Sequence, residues 1–112
     1  MISKDLVAAS AKPMILSILL AGESYGYEII QQIKKLSDGE INWKDGMLYP
    51  VLHRLENQGL IESEWKETEN VKKRKYYHLK QEGRKVLETE KNNWLLVHST
   101  MLKLWEAKPC LN

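Results

Sequence analysis

Four consecutive cations, Lys72-Lys73-Arg74-Lys75, form the first group of candidate binding residues. They follow residues 62–69, which hold four glutamates and one lysine. This abrupt change of sign predicts a localised basic patch, although a solvated charged surface is the plainer interpretation of such a run. Because lysine and arginine neutralise phosphates and release counterions, the patch would attract nucleic acid of any sequence.

The segment "DGMLYPVLHRLENQGLI", residues 45–61, holds a second group of candidate binding residues. Three leucines recur there at helical spacing and predict a helix with one buried stripe. The opposite side of that helix carries Met47, Tyr49, His53 and Arg54. Arginine and histidine donate hydrogen bonds, a tyrosine hydroxyl can bond a phosphate, and a methionine can touch a thymine methyl.

Several of these side chains also have a structural interpretation. Tyr49 can pack its ring on the core, and ring packing can coexist with a phosphate contact. Arg54 suits a phosphate or a nearby glutamate better than a base edge. Lys75 begins a strand, so its aliphatic stem can instead cover apolar surface.

Groupings typical of catalysis or metal binding cannot be assembled from this sequence. The three histidines, His53, His78 and His98, fall on different elements, and the single cysteine is Cys110. No metal-ligand spacing, Ser/His/Asp or Cys/His grouping, or glycine-rich phosphate loop is found. We therefore expect neither an enzyme nor a bound metal or cofactor.

Composition and length favour a small cytoplasmic domain. The 112 residues suit one compact unit, and 43% apolar with 29% charged residues suits a buried core and a charged surface. No apolar run approaches the roughly 20 residues that cross a bilayer, and the mixed charges of the N-terminus do not suit a secretory signal. One cysteine excludes an internal disulfide framework, so we expect a reducing cytoplasm and no membrane partner.

Three helices, a hairpin and a long fourth helix are expected to position the candidate residues. The second and third helices are predicted to begin at Ser24 and Asp45 as N-caps, and "EINW" is predicted to form a short strand. "LIESEW" and "KYYHL" alternate with period two and predict a β-hairpin whose loop is 66–74. The first helix is predicted over 14–21, its extension across Pro13 being left open, and the last from Gln81 to about Ala107.

This order predicts a mainly α fold with a small hairpin, a winged helix-turn-helix followed by a dimerisation helix. The DNA-binding domain would span residues 1–80, and the C-terminal helix and tail residues 81–112. In such a fold the third helix packs its leucines inward and offers its other face to DNA.

Three motifs in the right order resemble the PadR family of bacterial transcriptional regulators: "YGYEI" at 25–29, "GMLYPVLHRLENQGLI" at 46–61 and "RKYYHLKQEGR" at 74–84. The resemblance covers nearly the whole chain, and the length implies the short subfamily. It implies a homodimeric repressor whose third helix enters the major groove and whose wing contacts the backbone or minor groove. Lys44 stands where many members have proline, and Met47 where Ser or Thr is common, so we expect a different base preference. The expected DNA contacts are Tyr25, Lys44, Met47, Tyr49, His53, Arg54, Lys72, Lys73, Arg74 and Lys75.

Heptad-like spacing in the last helix predicts a partner surface. Together with an N-terminal cover, the expected interface comprises Leu6, Val7, Leu87, Trp94, Val97, Met101, Leu104 and Trp105. One helix cannot bury so wide an apolar surface alone, so we expect an intertwined homodimer.

Trp94 carries a further expectation from the resemblance. A multidrug-sensing member of the family has a tryptophan at this place that stacks flat aromatic drugs at the dimer centre. Trp94, Val97 and His98 are therefore candidates for binding an aromatic effector, although tryptophan is also ordinary interface filler.

The sequence thus favours a dimeric DNA-binding repressor acting on a palindromic operator, with recognition helices about 34 Å apart. A small-molecule effector at the dimer centre could release it from DNA. Two other hypotheses stay open: a winged-helix protein-interaction module without DNA binding, and a small-molecule binder with DNA as a secondary partner.

Overall fold

The computed structural model describes residues 2–106, apart from the side chains at positions 68 and 71. Ala107 and Cys110, named in the predictions above, lie outside the described residues. Within this range no helix is long and apolar enough to cross a membrane. The elements are α1 Lys4–Ala21, β1 Ser24–Tyr25, α2 Gly26–Leu36, α3 Asp45–Asn57, β2 Ile61–Thr68, β3 Val71–Leu79 and α4 Gln81–Glu106.

The predicted winged helix-turn-helix is confirmed: three helices precede an antiparallel hairpin, and a long helix follows. The sheet has the order β1-β3-β2, so the central strand β3 pairs with both neighbours. Ile61 lies opposite Leu79, and Trp65 lies opposite Lys75. The hairpin of β2 and β3, residues 61–79, is called the wing below.

The first helix is one continuous element that runs through Pro13. Ser3 caps its start by accepting a hydrogen bond from the backbone N–H of Leu6 at 3.2 Å. Ile15, Leu16 and Leu19 of this helix lie in the core, because α1 packs between α2, α3, α4 and the sheet. Helix α1 therefore supplies the core surface against which the other helices and strand β3 pack.

Both predicted helix caps are wrong by one residue. Tyr25 caps α2, because Ser24 belongs to β1 and its hydroxyl donates instead to the Glu28 carboxylate at 2.6 Å. Lys44 caps α3, and Asp45 is the first helical residue, where its negative charge still favours the helix dipole.

The predicted strand "EINW" is also wrong. The strand that joins the hairpin in the sheet is instead β1, Ser24–Tyr25, which pairs with Tyr76–Tyr77. Trp43 and Ile41 pack toward the core from an irregular segment, so their alternation reflects burial rather than strand pairing. The wing strands are longer than predicted, since they extend to Thr68 and begin again at Val71.

Gly83, near the start of α4, fixes that helix against the base of the wing. A Cβ at this position would overlap the carbonyl oxygen of Leu60 and the side chain of Leu79. The backbone N–H of Lys80 donates to the same carbonyl of Leu60 at 3.0 Å. This close approach joins the C-terminal helix rigidly to the unit that carries the candidate site.

Candidate nucleic-acid interface

Helix α3 separates a buried face from an outward face, as predicted. Leu48, Leu52 and Leu55 are buried in the core. His53 and Arg54 are exposed on the other side, and no hydrogen bond or ion pair links Arg54 to a carboxylate within the described chain. The predicted outward orientation of Met47 is wrong in part, because its side chain is half-buried and packs against the core.

The Tyr49 side chain packs on a neighbouring element and still keeps exposed surface. Its ring and hydroxyl lie directly over Gly26, where a Cβ would overlap them. At the same time 43% of the side chain remains exposed. Gly26 thus lets the exposed side of α3 approach the start of α2, and this contact sets the position of the Tyr49 hydroxyl.

The basic run of the wing divides into two exposed and two half-buried cations. Lys72 and Lys73 are exposed and make no ion pair within residues 2–106. The Arg74 guanidinium carbon lies 4.2 Å from the centroid of the Tyr25 ring, and the Lys75 ammonium lies 5.7 Å from that of Tyr77. The alternative that Lys75 covers apolar surface is therefore compatible with the structure.

Tyr25 links the first strand to the wing. Its ring meets Tyr76 edge to face, with centroids 5.3 Å apart, and the stacked Arg74 lies on the same ring. Tyr25 therefore holds the planar guanidinium of Arg74 in place by stacking.

A cleft of about 510 Å³ lies between the wing and the start of α2, with Tyr49 on its wall. We call it the wing cleft. Among the residues that the structure describes, its lining contains aromatic rings and cations but no carboxylate: Tyr25, Gly26, Tyr27, Tyr49, Trp65, Lys73, Arg74, Lys75 and Tyr77. The cations of such a surface can neutralise phosphates, and its flat rings can pack on sugars of a nucleic acid.

Trp65 and Tyr27 are exposed aromatic residues of this cleft that the sequence interpretation did not include among the DNA contacts. The Trp65 side chain is 61% exposed although it stands within a regular strand. The signal was available, because strand alternation places Trp65 on the same face of β2 as Ile61 and Ser63, opposite Lys75.

The reverse face of the wing carries acids that are paired with cations. The Lys66 ammonium lies 2.6 Å from a carboxylate oxygen of Glu23 and 3.6 Å from one of Glu64. The hydrogen bond to Glu23 raises the pKa of Lys66, against the opposing effect of desolvation. His78 Nε2 lies 2.6 Å from a Glu62 oxygen. We call these residues the acidic face.

One group of possible metal ligands, Glu23, Glu64 and His78, is found in the part of the chain that the structure describes. Its ligand atoms lie within 4.8 Å of one another, and all three residues are at the surface. Because the Lys66 ammonium already bonds both carboxylates, the group is an ion-pair network rather than a prepared metal centre.

Tyr77 forms the buried base of the wing cleft. Burial is the main cause that raises the pKa of its hydroxyl, and the negative charge of Glu56 acts in the same direction. Glu56 is itself held at the end of α3 by the Ser63 hydroxyl, which donates to it at 2.6 Å. This contact ties α3 to the first strand of the wing.

Helix α4 exposes three of the six residues that are predicted on it for a partner surface. Val97, Leu104 and Trp105 are exposed, and so is Leu6 of α1, whereas Val7 packs against the core. Trp94 and Met101 are half-buried. Leu87 differs from the prediction, because at 5% exposure it belongs to the chain's own core and has little surface left for a partner.

An apolar groove of about 660 Å³ runs between α1, α2 and α4. Trp94 and His98 line it together, opposite Met14, Ile18 and Leu36. Val97, the third predicted ligand residue, is not among the lining residues of this groove.

Residues 15–89 match the family described as the transcriptional regulator PadR-like family. A transcriptional regulator from Clostridium thermocellum has a similar structure, with a TM-score of 0.83 and 34% identity, over 92% of this chain and 97% of that one. A PadR-like regulator from Bacillus cereus has a TM-score of 0.82 and 30% identity, over 94% and 100%. An uncharacterised protein of Lysinibacillus sphaericus is 31% identical over 94 residues, 84% of this chain and 86% of its own. The family and both structures are of transcriptional regulators, which confirms the expectation that this is not an enzyme.

Proposed function

Because the chain belongs to the PadR-like family of DNA-binding transcriptional regulators, we propose that it is a homodimeric repressor of a palindromic promoter operator. The observation that carries the proposal is the wing cleft. Its cations and the exposed Tyr49 of α3 adjoin each other, and no carboxylate of the described part of the chain lines it. A polyanionic duplex therefore fits this side of the molecule better than an acidic or neutral protein surface would.

In this proposal the contacts divide into positioning and reading. Lys72 and Lys73 neutralise phosphates, and the Tyr49 hydroxyl bonds a phosphate at the edge of the major groove. His53 lies on the exposed face of α3, where it can reach base edges, and Arg54 contacts the backbone. Lys44, exposed at the start of α3, and the stacked Arg74 complete the phosphate contacts. Because Met47 is half-buried, only the exposed part of its side chain can contact a thymine methyl.

The proposed dimer uses the exposed apolar side of α4. Val97, Leu104 and Trp105 lie in water in the single chain, and an apolar surface of this extent is typical of a protein interface. Two-fold symmetry would place the two recognition helices about 34 Å apart, one turn of duplex, which is why the operator should be palindromic. Residues 1–80 would then bind DNA, and residues 81–106 with the tail would dimerise.

The groove beside Trp94 is the proposed effector site. An indole and an imidazole on one apolar wall suit a flat aromatic compound, preferably a cation. Because the groove touches α2 as well as α4, a bound compound that fits only one arrangement of these helices would change the spacing of the recognition helices and release DNA. Replacing Trp94 with alanine should abolish such binding while the dimer persists in sedimentation.

The experiment that tests the proposed function is selection of bound duplexes from a random pool by the purified full chain, with sedimentation run in parallel. Enrichment of one palindromic sequence by a dimer is the expected result. A chain that sediments as a monomer, or that enriches no duplex above a non-binding protein, would contradict the proposal. Transcription from a promoter carrying the selected sequence should then fall when the protein is added.

A further inference from the structure

Trp65 is an exposed aromatic residue that the proposed dimer does not explain. It lies on the wing, whereas the apolar residues proposed for the dimer lie on α1 and α4. Its ring contributes to the wall of the wing cleft rather than to the buried core. A large ring kept 61% exposed within a strand has the character of a contact residue.

The neighbours of Trp65 indicate what it contacts. Lys75 lies directly opposite on β3, and Lys73 and Tyr49 share the same cleft. No carboxylate among the described residues lines this cleft, so its lysines favour a polyanion. Of the three acids of β2, Glu62 and Glu64 are on the other side of the strand. Glu67 shares the face of Trp65 by alternation but does not line the cleft.

We propose that the Trp65 indole packs on a deoxyribose of the DNA backbone that enters the wing cleft and donates its Nε1–H to the adjoining phosphate. The proposal rests on the proposed function and names a contact within that interface. An indole offers a flat apolar surface and one donor without an acceptor, which matches a sugar next to a phosphate. The lysines on either side supply the charge, and Trp65 supplies a contact that is largely independent of charge.

The two kinds of contact differ in their response to salt. Loss of a phosphate-neutralising lysine lowers the slope of log affinity against log salt concentration. Loss of the indole should lower duplex affinity about tenfold while the slope stays that of the wild type, because few counterions are involved. Trp65→Phe keeps a flat ring and should recover most of the affinity.

The experiment compares Trp65→Ala, Trp65→Phe and Glu64→Gln by titration of one duplex at several salt concentrations. Glu64→Gln is the matched control, because it lies next to Trp65 on the other face of the same strand. It should lose no affinity. A lower salt slope for Trp65→Ala would mean that the indole only positions the lysines, and would overturn the proposal.

Acrylamide quenching of tryptophan fluorescence gives a second readout that does not depend on affinity. Bound duplex should protect a fraction of the emission in the wild type, and this fraction should vanish in Trp65→Phe. If the wild type binds duplex but Trp65 stays equally accessible, this inference fails alone. If the wild type binds no duplex at all, the proposed function fails and this inference falls with it.

Discussion

The two faces of the wing hold charges of both signs in very different arrangements. On the acidic face, Lys66 and His78 are within ion-pair distance of carboxylates. On the cleft face, Lys73 and Lys75 stand beside aromatic rings, and no carboxylate among the described residues lines the space. The two sets alternate along the same two strands, so Lys66 and His78 are paired with acids on one face, whereas Lys73 and Lys75 have no acid beside them in the cleft. Arg74 lies opposite Lys66 and stacks on the Tyr25 ring.

This difference shows that pairing, rather than the number of cations, decides where a polyanion can bind. A lysine that already bonds two carboxylates releases little free energy when a phosphate approaches, since it must first give up its partners. A lysine facing only water and rings keeps its full attraction. We therefore expect DNA at the cleft face, where Arg74 also reaches the lining.

The largest effect is expected from removing the exposed cations of the wing. The double variant Lys72→Ala/Lys73→Ala should bind all duplex sequences about a hundredfold more weakly at moderate salt, with a salt slope lower by about two per protomer. Titration of specific and random duplexes at several salt concentrations measures both quantities. The matched control is Lys34→Ala/Lys35→Ala, which removes two exposed lysines from the far end of α2. If the control lost as much duplex affinity, the effect would come from net charge alone.

A smaller effect is expected from displacing Tyr49 without removing it. Gly26→Ala puts a Cβ where the Tyr49 ring and hydroxyl now lie, so the tyrosine side chain must leave its present position. Duplex affinity should fall about tenfold, whereas the free energy of unfolding should change by no more than about 1 kcal/mol, because only a flexible side chain moves. Chemical denaturation and duplex titration separate the two quantities.

Gly22→Ala is the control for this variant, since a Cβ at Gly22 meets no atom within 4 Å. It should retain both wild-type stability and wild-type affinity. If Gly26→Ala bound duplex as tightly as Gly22→Ala, the Tyr49 hydroxyl would have no part in the contact.

A change on the acidic face should have little effect on DNA binding. Lys66→Met removes a cation from the same hairpin, but that cation is bonded to Glu23 and Glu64. We expect duplex affinity within about threefold of the wild type in the same titration. A loss as large as that of the Lys72→Ala/Lys73→Ala variant would mean that both faces of the wing attract DNA equally.

The smallest effect concerns pH. The pKa of Tyr77 is raised in the folded chain, mainly by burial, so the folded state binds its phenolic proton more tightly than the unfolded state does. Stability from this residue is therefore fully present below about pH 10, the ordinary tyrosine pKa, and is lost as the pH rises through the folded value. Urea denaturation between pH 9 and 11 should show a shallower loss for Tyr77→Phe. An identical pH dependence would exclude this role.

The fold could be predicted from the sequence because its elements follow local patterns. The leucines of α3 and the alternation of the wing strands each repeat at the period of one element, and both predictions are confirmed. The errors fall where a neighbouring element decides. Ser24 joins a strand because β3 is available beside it, and Trp43 is buried without a strand partner.

The candidate site was less accessible to sequence reasoning, because it depends on contacts between distant segments. The basic run and Tyr49 could be chosen by residue type, but the Tyr49 contact with Gly26 and the stacking of Arg74 on Tyr25 require the tertiary structure. For Leu87, by contrast, the sequence pattern suggested a contact that the tertiary structure replaces with another. Its heptad spacing fitted the partner surface, yet the chain's own core covers it, so periodicity alone could not tell an internal neighbour from an external one.

Lysine acetylation with and without a bound duplex tests most directly which face of the wing meets DNA. We predict that duplex lowers the modification rate of Lys72, Lys73 and Lys75, measured by mass spectrometry, while the rate at Lys66 stays unchanged. Lys34 and Lys35 serve as internal references on α2. Equal protection of Lys66 and Lys73, or protection of Lys66 alone, would contradict the central claim that DNA binds at the wing cleft.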